Sequence, residues 1–206
     1  ASSVTDIHNT KFDFENVIPE VLKFFEEAGI AGKIPLIAAG GISSLEDIKR
    51  LQALGASAVQ LGTAFAVTTE GDADDAFKHV LANAKKEDIV EFLSVAGLPA
   101  RAVKTPWLGK YLKVENVLQE TARKKPRCTM VFDCLHDCGL RDGNSSWGQF
   151  CIDKVLGSAL VGSVQKGLFF RGAGALPFGT QIRPVIDLIT RLLSDVEPIE
   201  YGYAAN

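Results

Sequence analysis

Two short apolar runs, each stopping at glycine and joined by a single helical pattern, fill Ile34 to Phe65 (IPLIAAGGISSLEDIKRLQALGASAVQLGTAF). The first run, Pro35 to Ala39, is continuously apolar and has the length of a strand buried on both faces, which is how parallel strands read when helices cover the sheet. Gly40 and Gly41 break it. Ser43 or Ser44 is positioned to cap a helix in which Leu45, Ile48, Leu51 and Leu54 recur at three-residue intervals, and Gly55 supplies the stop. The second run, Ala58 to Leu61, ends at Gly62 and Thr63. The order strand, glycine turn, helix, strand, glycine turn describes one parallel α/β unit and leaves few other folds open.

Two consecutive parallel strands that both end in small residues make a concave anion site at the carboxyl end of their sheet. Without a Cβ the backbone approaches a phosphate closely, and the Thr63 hydroxyl adds a donor. In an eight-stranded α/β barrel the phosphate site commonly follows the last two strands. A single Gly-Gly turn is as well explained by close contact between elements; the paired arrangement favours a phosphate.

AAGGI followed by QLGTAF resembles the last two strands of the nitronate monooxygenase family, the 2-nitropropane dioxygenase-like flavoproteins, whose barrel is shared by flavin-dependent enoyl-acyl-carrier-protein reductases. Cys151 to Gly174 (CIDKVLGSALVGSVQKGLFFRGAG) is similar to that family's C-terminal segment, a helix before a glycine-bounded phenylalanine strand. The resemblance implies FMN as cofactor, with Ala39, Gly40 and Gly41 on one side of its phosphate and Gln60, Leu61, Gly62 and Thr63 on the other. It also implies a catalytic His in a glycine-rich turn N-terminal to this chain. His8, in DIHNT, does not sit in such a turn, and the role is not transferred to it.

The chain has 206 residues, 22 Lys and Arg against 25 Asp and Glu, and a net charge of -3. That balance argues against a nucleic-acid partner; the one dense basic run, Arg123 to Arg127, reads as a solvated helix end. No apolar run suits a bilayer and no signal sequence stands at Ala1, so the expected location is cytoplasmic, away from membranes. A complete (β/α)8 barrel takes about 200 to 250 residues, yet the presumed last two strands are finished by Phe65. The expected fold is therefore α/β, the C-terminal portion of a TIM barrel with a mainly helical extension. Residues 1–95 are assigned to the barrel and residues 96–206 to a cysteine-containing extension that packs on it. Open sheet edges expose unpaired backbone groups, so the missing half-barrel is expected from the same protein or a partner chain, and an oligomer is compatible with this.

Elsewhere the pattern is plainer. Ala1 to Lys11 reads as a loop, Phe14 to Ala28 as an amphipathic helix, and Glu70 to Ala84 as an acidic turn leading into another helix with His79 on its surface. Lys85 to Ala96 is mixed and reads as a short packing element. Gly97 to Gly109 (GLPARAVKTPWLG), with two prolines, reads as an ordered loop whose Arg101, Lys104 and Trp107 either reach a ligand or serve as surface charge and a packed indole. Helices are expected over 112–125, 148–161 and 181–193. The glycine-rich Gly172 to Gly179 allows close backbone approach to a flat ligand or a tight turn.

All four cysteines, Cys128, Cys134, Cys138 and Cys151, fall in one window, with five, three and twelve residues between them. Four thiolates suit zinc or an iron–sulfur cluster. Only Cys134 and Cys138 have the spacing of a zinc pair, so reduced thiols in a loop-rich cap, or a disulfide after oxidation, are the favoured reading over a metal; His136 could replace one thiolate, and its neighbours Asp133 and Asp137 equally mark a solvated turn.

The function expected from these features is FMN-dependent oxidoreduction on a small-molecule substrate, with oxidation of alkyl nitronates by O2 foremost. Enoyl-acyl-carrier-protein reductase or NAD(P)H:quinone reductase activity is the alternative on the same barrel. An isomerase or synthase acting on a phosphate substrate and a non-catalytic assembly or metal-binding fragment are the competing classes.

Overall fold

The computed structural model describes residues 4–95, 98–122, 128, 134, 136, 138–142 and 150–194. In chain order the elements are α1 (Phe14–Glu27), β1 (Ile37–Ala39), α2 (Leu45–Ala53), β2 (Ala58–Gln60), α3 (Thr63–Ala66), α4 (Asp75–Asn83), β3 (Ile89–Leu93), β4 (Pro99–Val103), α5 (Pro106–Ala122), α6 (Gly139–Asp142), α7 (Ile152–Leu160) and α8 (Val185–Leu193). They form two compact units. One comprises Ala1–Asn9 and Ala73–Gly172; the other comprises Thr10–Asp72 and Ala173–Asn206. The division does not follow a linear boundary after residue 95, because the chain leaves the second unit at residue 72 and returns to it at 173.

The unit built from 10–72 and 173–206 holds the parallel pair. β1 and β2 run side by side with Ile37 opposite Ala58, Ala38 opposite Val59 and Ala39 opposite Gln60. Alternation along the strands turns Ala38 and Val59 to one face. There they join Ile18 of α1, Leu51 of α2, Ile42 and Ala56 in a core, with Leu51 wholly buried. The other face is open, and Ile37 is 53% exposed where Ala38 is 4% exposed. A strand buried on both faces is thus corrected to one covered on a single face: α1 and α2 lie on one side, and no described residue buries Ile37.

Helix α2 forms as its sequence dictates. The Ser44 hydroxyl accepts from Asp47 N at 3.1 Å, and the Asp47 carboxylate accepts from Ser44 N at 3.1 Å, closing a capping box. Gly55, at φ +107°, ends the helix. Leu188 and Leu192 of α8 bury against Ala64, with Ile48, Leu61 and Phe178 around them.

The other unit is centred on a hairpin. β3 and β4 pair antiparallel, with Glu91 opposite Arg101 and Phe92 opposite Ala100. An antiparallel bridge from Ala102 to Phe170 adds the 168–171 segment alongside β4. Phe92, Ala102, Leu108, Tyr111, Val155 and Leu168 form the core of this unit. Here the loop expected at 97–109 is corrected: Pro99 begins a strand, where its missing N–H costs no ladder bond, and α5 begins at Pro106 rather than 112. The mixed stretch from Lys85 holds β3. The polar start of the chain forms two 3-10 turns, Val4–His8 and Thr10–Phe12, instead of a loop. Among the described residues no helix is long and apolar enough to cross a membrane.

Candidate functional site

The parallel pair delivers its two glycine turns to the same end of the sheet, because Ala39 and Gln60 are opposite partners and each is the last residue of its strand. After β1 the chain turns through Gly40 at φ +112° and Gly41 at φ +69°, backbone angles that a side chain rarely adopts. A Cβ at either position would point into open space, as would one at Gly62. The turn is thus free of side chains on the side where a ligand would arrive. Ile42, just beyond, is buried, and the Asp47 carboxylate accepts from Ser43 N at 3.0 Å, so the turn is anchored downstream. Burial pushes the Asp47 carboxyl up, but hydrogen bonds from Ser43 and Ser44 outweigh it and hold the group below its ordinary range.

After β2, Gly62 is the N-cap of α3, so Thr63 opens the first turn of that helix. Phe65 N and Ala66 N both donate to Gly62 O at 3.1 Å, so the Thr63 and Ala64 N–H groups are the ones left without an intrahelical acceptor. Gln60 is exposed and projects from the open face that also carries Ile37 and Ala39. A third glycine segment joins these two. A Cβ added to Gly174 would lie 3.6 Å from the Gly41 carbonyl oxygen and 3.7 Å from Gly41 Cα, so the two backbones pass about one side-chain atom apart where neither has a side chain. The chain beyond this contact is fixed within the same unit. Thr69 N donates to Arg183 O at 3.1 Å, the Arg183 guanidinium stacks 4.8 Å from the Phe178 ring centre, and its Nε donates to Asp187 at 2.9 Å.

Ala39, Gly40, Gly41, Gln60, Leu61, Gly62 and Thr63, the residues singled out for a phosphate and its cofactor, are thus gathered at one sheet end. Gly174 belongs with them. Its glycine run was visible in the sequence, but the close approach to Gly41 is a long-range contact that no local pattern encodes.

Other candidates resolve differently. Trp107 stacks on Tyr111 with ring centres 5.6 Å apart and meets Phe150 edge-on at 4.9 Å, so it is a packed indole. Arg101 donates to Glu91 Oε1 at 2.9 Å, and Lys104 is exposed. His8 Nε2 lies 2.7 Å from Glu91 Oε2, and His79 Nδ1 lies 2.8 Å from Asp75 O. The four cysteines are half-buried free thiols. Among the described residues no three His, Cys, Asp or Glu side chains gather as metal ligands, so a four-cysteine zinc or iron–sulfur site is not assembled there. Asp133, Asp137 and the basic run 123–127 lie outside the described residues.

The profile of the nitronate monooxygenase family matches residues 5–195. A probable nitronate monooxygenase of Staphylococcus saprophyticus is 29% identical over 114 residues, covering 55% of this chain and 31% of that protein. The nitronate monooxygenase of Pseudomonas aeruginosa is 36% identical over 72 residues, covering 35% of this chain and 20% of that protein. Among solved structures, FabK from Thermotoga maritima superposes with a TM-score of 0.59 at 26% identity, over 87% of this chain and 47% of FabK. The nitroalkane oxidase of Streptomyces ansochromogenes shares the fold, with a TM-score of 0.53 at 22% identity over 85% of this chain and 42% of that one. The chain therefore spans less than half the length of these relatives, and its mixed α/β fold matches part of their TIM barrels. Glycine turns at the ends of two parallel strands and a family match over nearly the whole sequence lead to one assignment: the chain belongs to the nitronate monooxygenase family, a family of FMN-dependent oxidoreductases.

Proposed function

We propose that this chain is the phosphate-holding portion of an FMN-dependent oxidoreductase that oxidises alkyl nitronates with O2. The observation that carries the reading is the presence of three glycine-bearing backbone segments, Gly40–Gly41, Gly62–Thr63 and Gly174, beside the ends of a parallel strand pair. These residues fit a phosphate monoester. Open space lies where each turn glycine would carry a Cβ, N–H groups are offered at the start of α3, and the Thr63 hydroxyl is an additional donor.

FMN, when bound, supplies the electron-accepting and oxygen-reacting chemistry of the family. The chain's own residues bind and orient. Gly40, Gly41, Gly62 and Thr63 hold the phosphate, Ala39 and Leu61 set the spacing of the two turns, and Gln60 extends its amide from the open face toward the ring or the substrate. We assign the proton acceptor to no residue of this chain. The remaining barrel strands, from the same polypeptide or a partner, cover the face that carries Ile37.

The likeness to FabK favours a second reading, flavin-dependent reduction of an enoyl thioester by a nicotinamide, with NAD(P)H:quinone reduction as a variant. The two readings separate in one assay series on the protein that contains this chain with a complete barrel. A yellow protein that releases FMN into acid and consumes O2 on addition of an alkyl nitronate supports the first. NAD(P)H oxidation driven by an enoyl thioester or a quinone, without nitronate turnover, supports the second. Gly41→Val should weaken FMN binding by at least about tenfold, because it places a branched side chain at positive φ in the phosphate cradle. A colourless protein that takes up no added FMN would overturn both.

A further inference from the structure

Away from the glycine turns, the hairpin unit carries a row of charge with an unequal count. Glu91 stands opposite Arg101, and Arg171 N donates to Arg101 O at 3.1 Å next to the Ala102–Phe170 bridge. Antiparallel pairing puts directly opposed residues on one face. Glu91, Arg101 and Arg171 therefore form a cross-strand row on the side opposite Phe92, Ala102 and Phe170, with two guanidinium groups and one carboxylate.

The carboxylate is already committed. Glu91 accepts from Arg101 Nε through Oε1 at 2.9 Å and faces His8 Nε2 through Oε2 at 2.7 Å. Burial pushes its carboxyl up, but the hydrogen bonds from Arg101 and His8 outweigh this and hold it below the ordinary range, so it stays ionised. Arg171 gains nothing from it. Its side chain is buried, the residue being 7% exposed, and its Nη1 reaches only the Gly172 carbonyl at 3.3 Å. Its Nε is buried and has no hydrogen-bond partner among the described residues. Burial lowers the Arg171 pKa, yet a guanidinium keeps its proton in proteins. A fixed charge removed from water with no counter-charge among the described residues is unfavourable, and an anion placed at its unpaired edge would offset that cost.

We propose that Arg171 anchors an oxyanion site, in which its Nε–Nη2 edge takes one carboxylate or phosphate group of a small ligand and Arg101 supplies the second positive charge. The planar fork of a guanidinium matches two oxygens of such a group, which selects carboxylate and phosphate over halide or neutral ligands. The backbone next to Arg171 carries no side chain at Gly172, where a Cβ would meet open space. The proposal stands independently of the flavin reading, because none of its residues belongs to the phosphate turns.

The test follows the Arg171 Nε–H resonance, assigned by connectivity in the 15N-labelled full chain, during titration with inorganic phosphate and, separately, with acetate. Sodium chloride holds ionic strength constant in both arms. A saturable shift with phosphate alone identifies a phosphate-ester ligand, one with acetate alone a carboxylate ligand, and one with both a general oxyanion site; each supports the proposal. Arg171→Lys, which keeps the charge and removes the fork, should weaken that binding about tenfold. No saturable shift in either arm, or unchanged affinity in a folded Arg171→Lys chain, overturns it. The primary readout is in the unaltered chain and does not depend on a variant folding.

Discussion

Asp47 ties four neighbouring groups at the start of α2 through one carboxylate. It accepts from the N–H and the hydroxyl of both Ser43 and Ser44, while its own N–H donates to the Ser44 hydroxyl. Asp47→Ala removes this set and should cost about 1 to 2 kcal/mol in urea unfolding at pH 7. Because the folded carboxyl titrates below its unfolded value, its contribution is complete above the unfolded value near pH 4 and fades as pH falls through the folded one. The difference between wild type and Asp47→Ala should therefore shrink in acid, and a difference that stayed constant down to pH 2 would exclude the carboxylate as its source. Ser44, Asp47 and Gly55 are legible in the sequence because caps are local. Arg171 is not, since an arginine beside a glycine-rich run says nothing of whether the fold brings a counter-charge to it.

At the scale of elements, α8 shows how a helix is held by charge as well as by its leucines. Its N-terminus begins after Pro184, and Val185 N donates to the Glu70 carboxylate at 2.8 Å. One turn in, Asp187 is buried and paired with Arg183. Removing one partner of such a pair strands the other, so Asp187→Ala should destabilise the fold by about 3 kcal/mol or more, read by thermal or urea unfolding. A loss below about 1 kcal/mol would mean that water reaches Arg183 freely. The apolar pattern of 185–193 made this helix readable, as the three-residue recurrence did α2. The β3–β4 hairpin escaped because Ile89 to Leu93 carries only one polar residue in its alternation, and because Pro99 and Pro106, read as loop markers, instead open a strand and a helix. Propensity describes where prolines are common; pairing with the 168–171 segment decided where these two sit.

For the whole molecule, the parallel pair and its turns were legible because strand, turn and helix follow one another directly, whereas the two units are discontinuous in sequence and no local pattern marks their edges. The open face of β1 and β2 is testable by Ile37→Lys. In this chain the change should alter unfolding stability by no more than about 0.5 kcal/mol, as at other exposed positions. In a protein with the completed barrel it should abolish FMN retention. A large destabilisation of this chain alone would show that the face is already covered. The discontinuity bears also on biosynthesis. Helix α2 precedes α8 by more than 130 residues, yet Leu188 and Leu192 of α8 bury against Ala64 beside Ile48 of α2. During translation the parallel pair must wait, with part of its apolar surface uncovered, while residues 73–172 of the hairpin unit emerge between its two halves. Any factor that shields nascent chains meets here a substrate whose vulnerable interval is set by the length of the inserted unit.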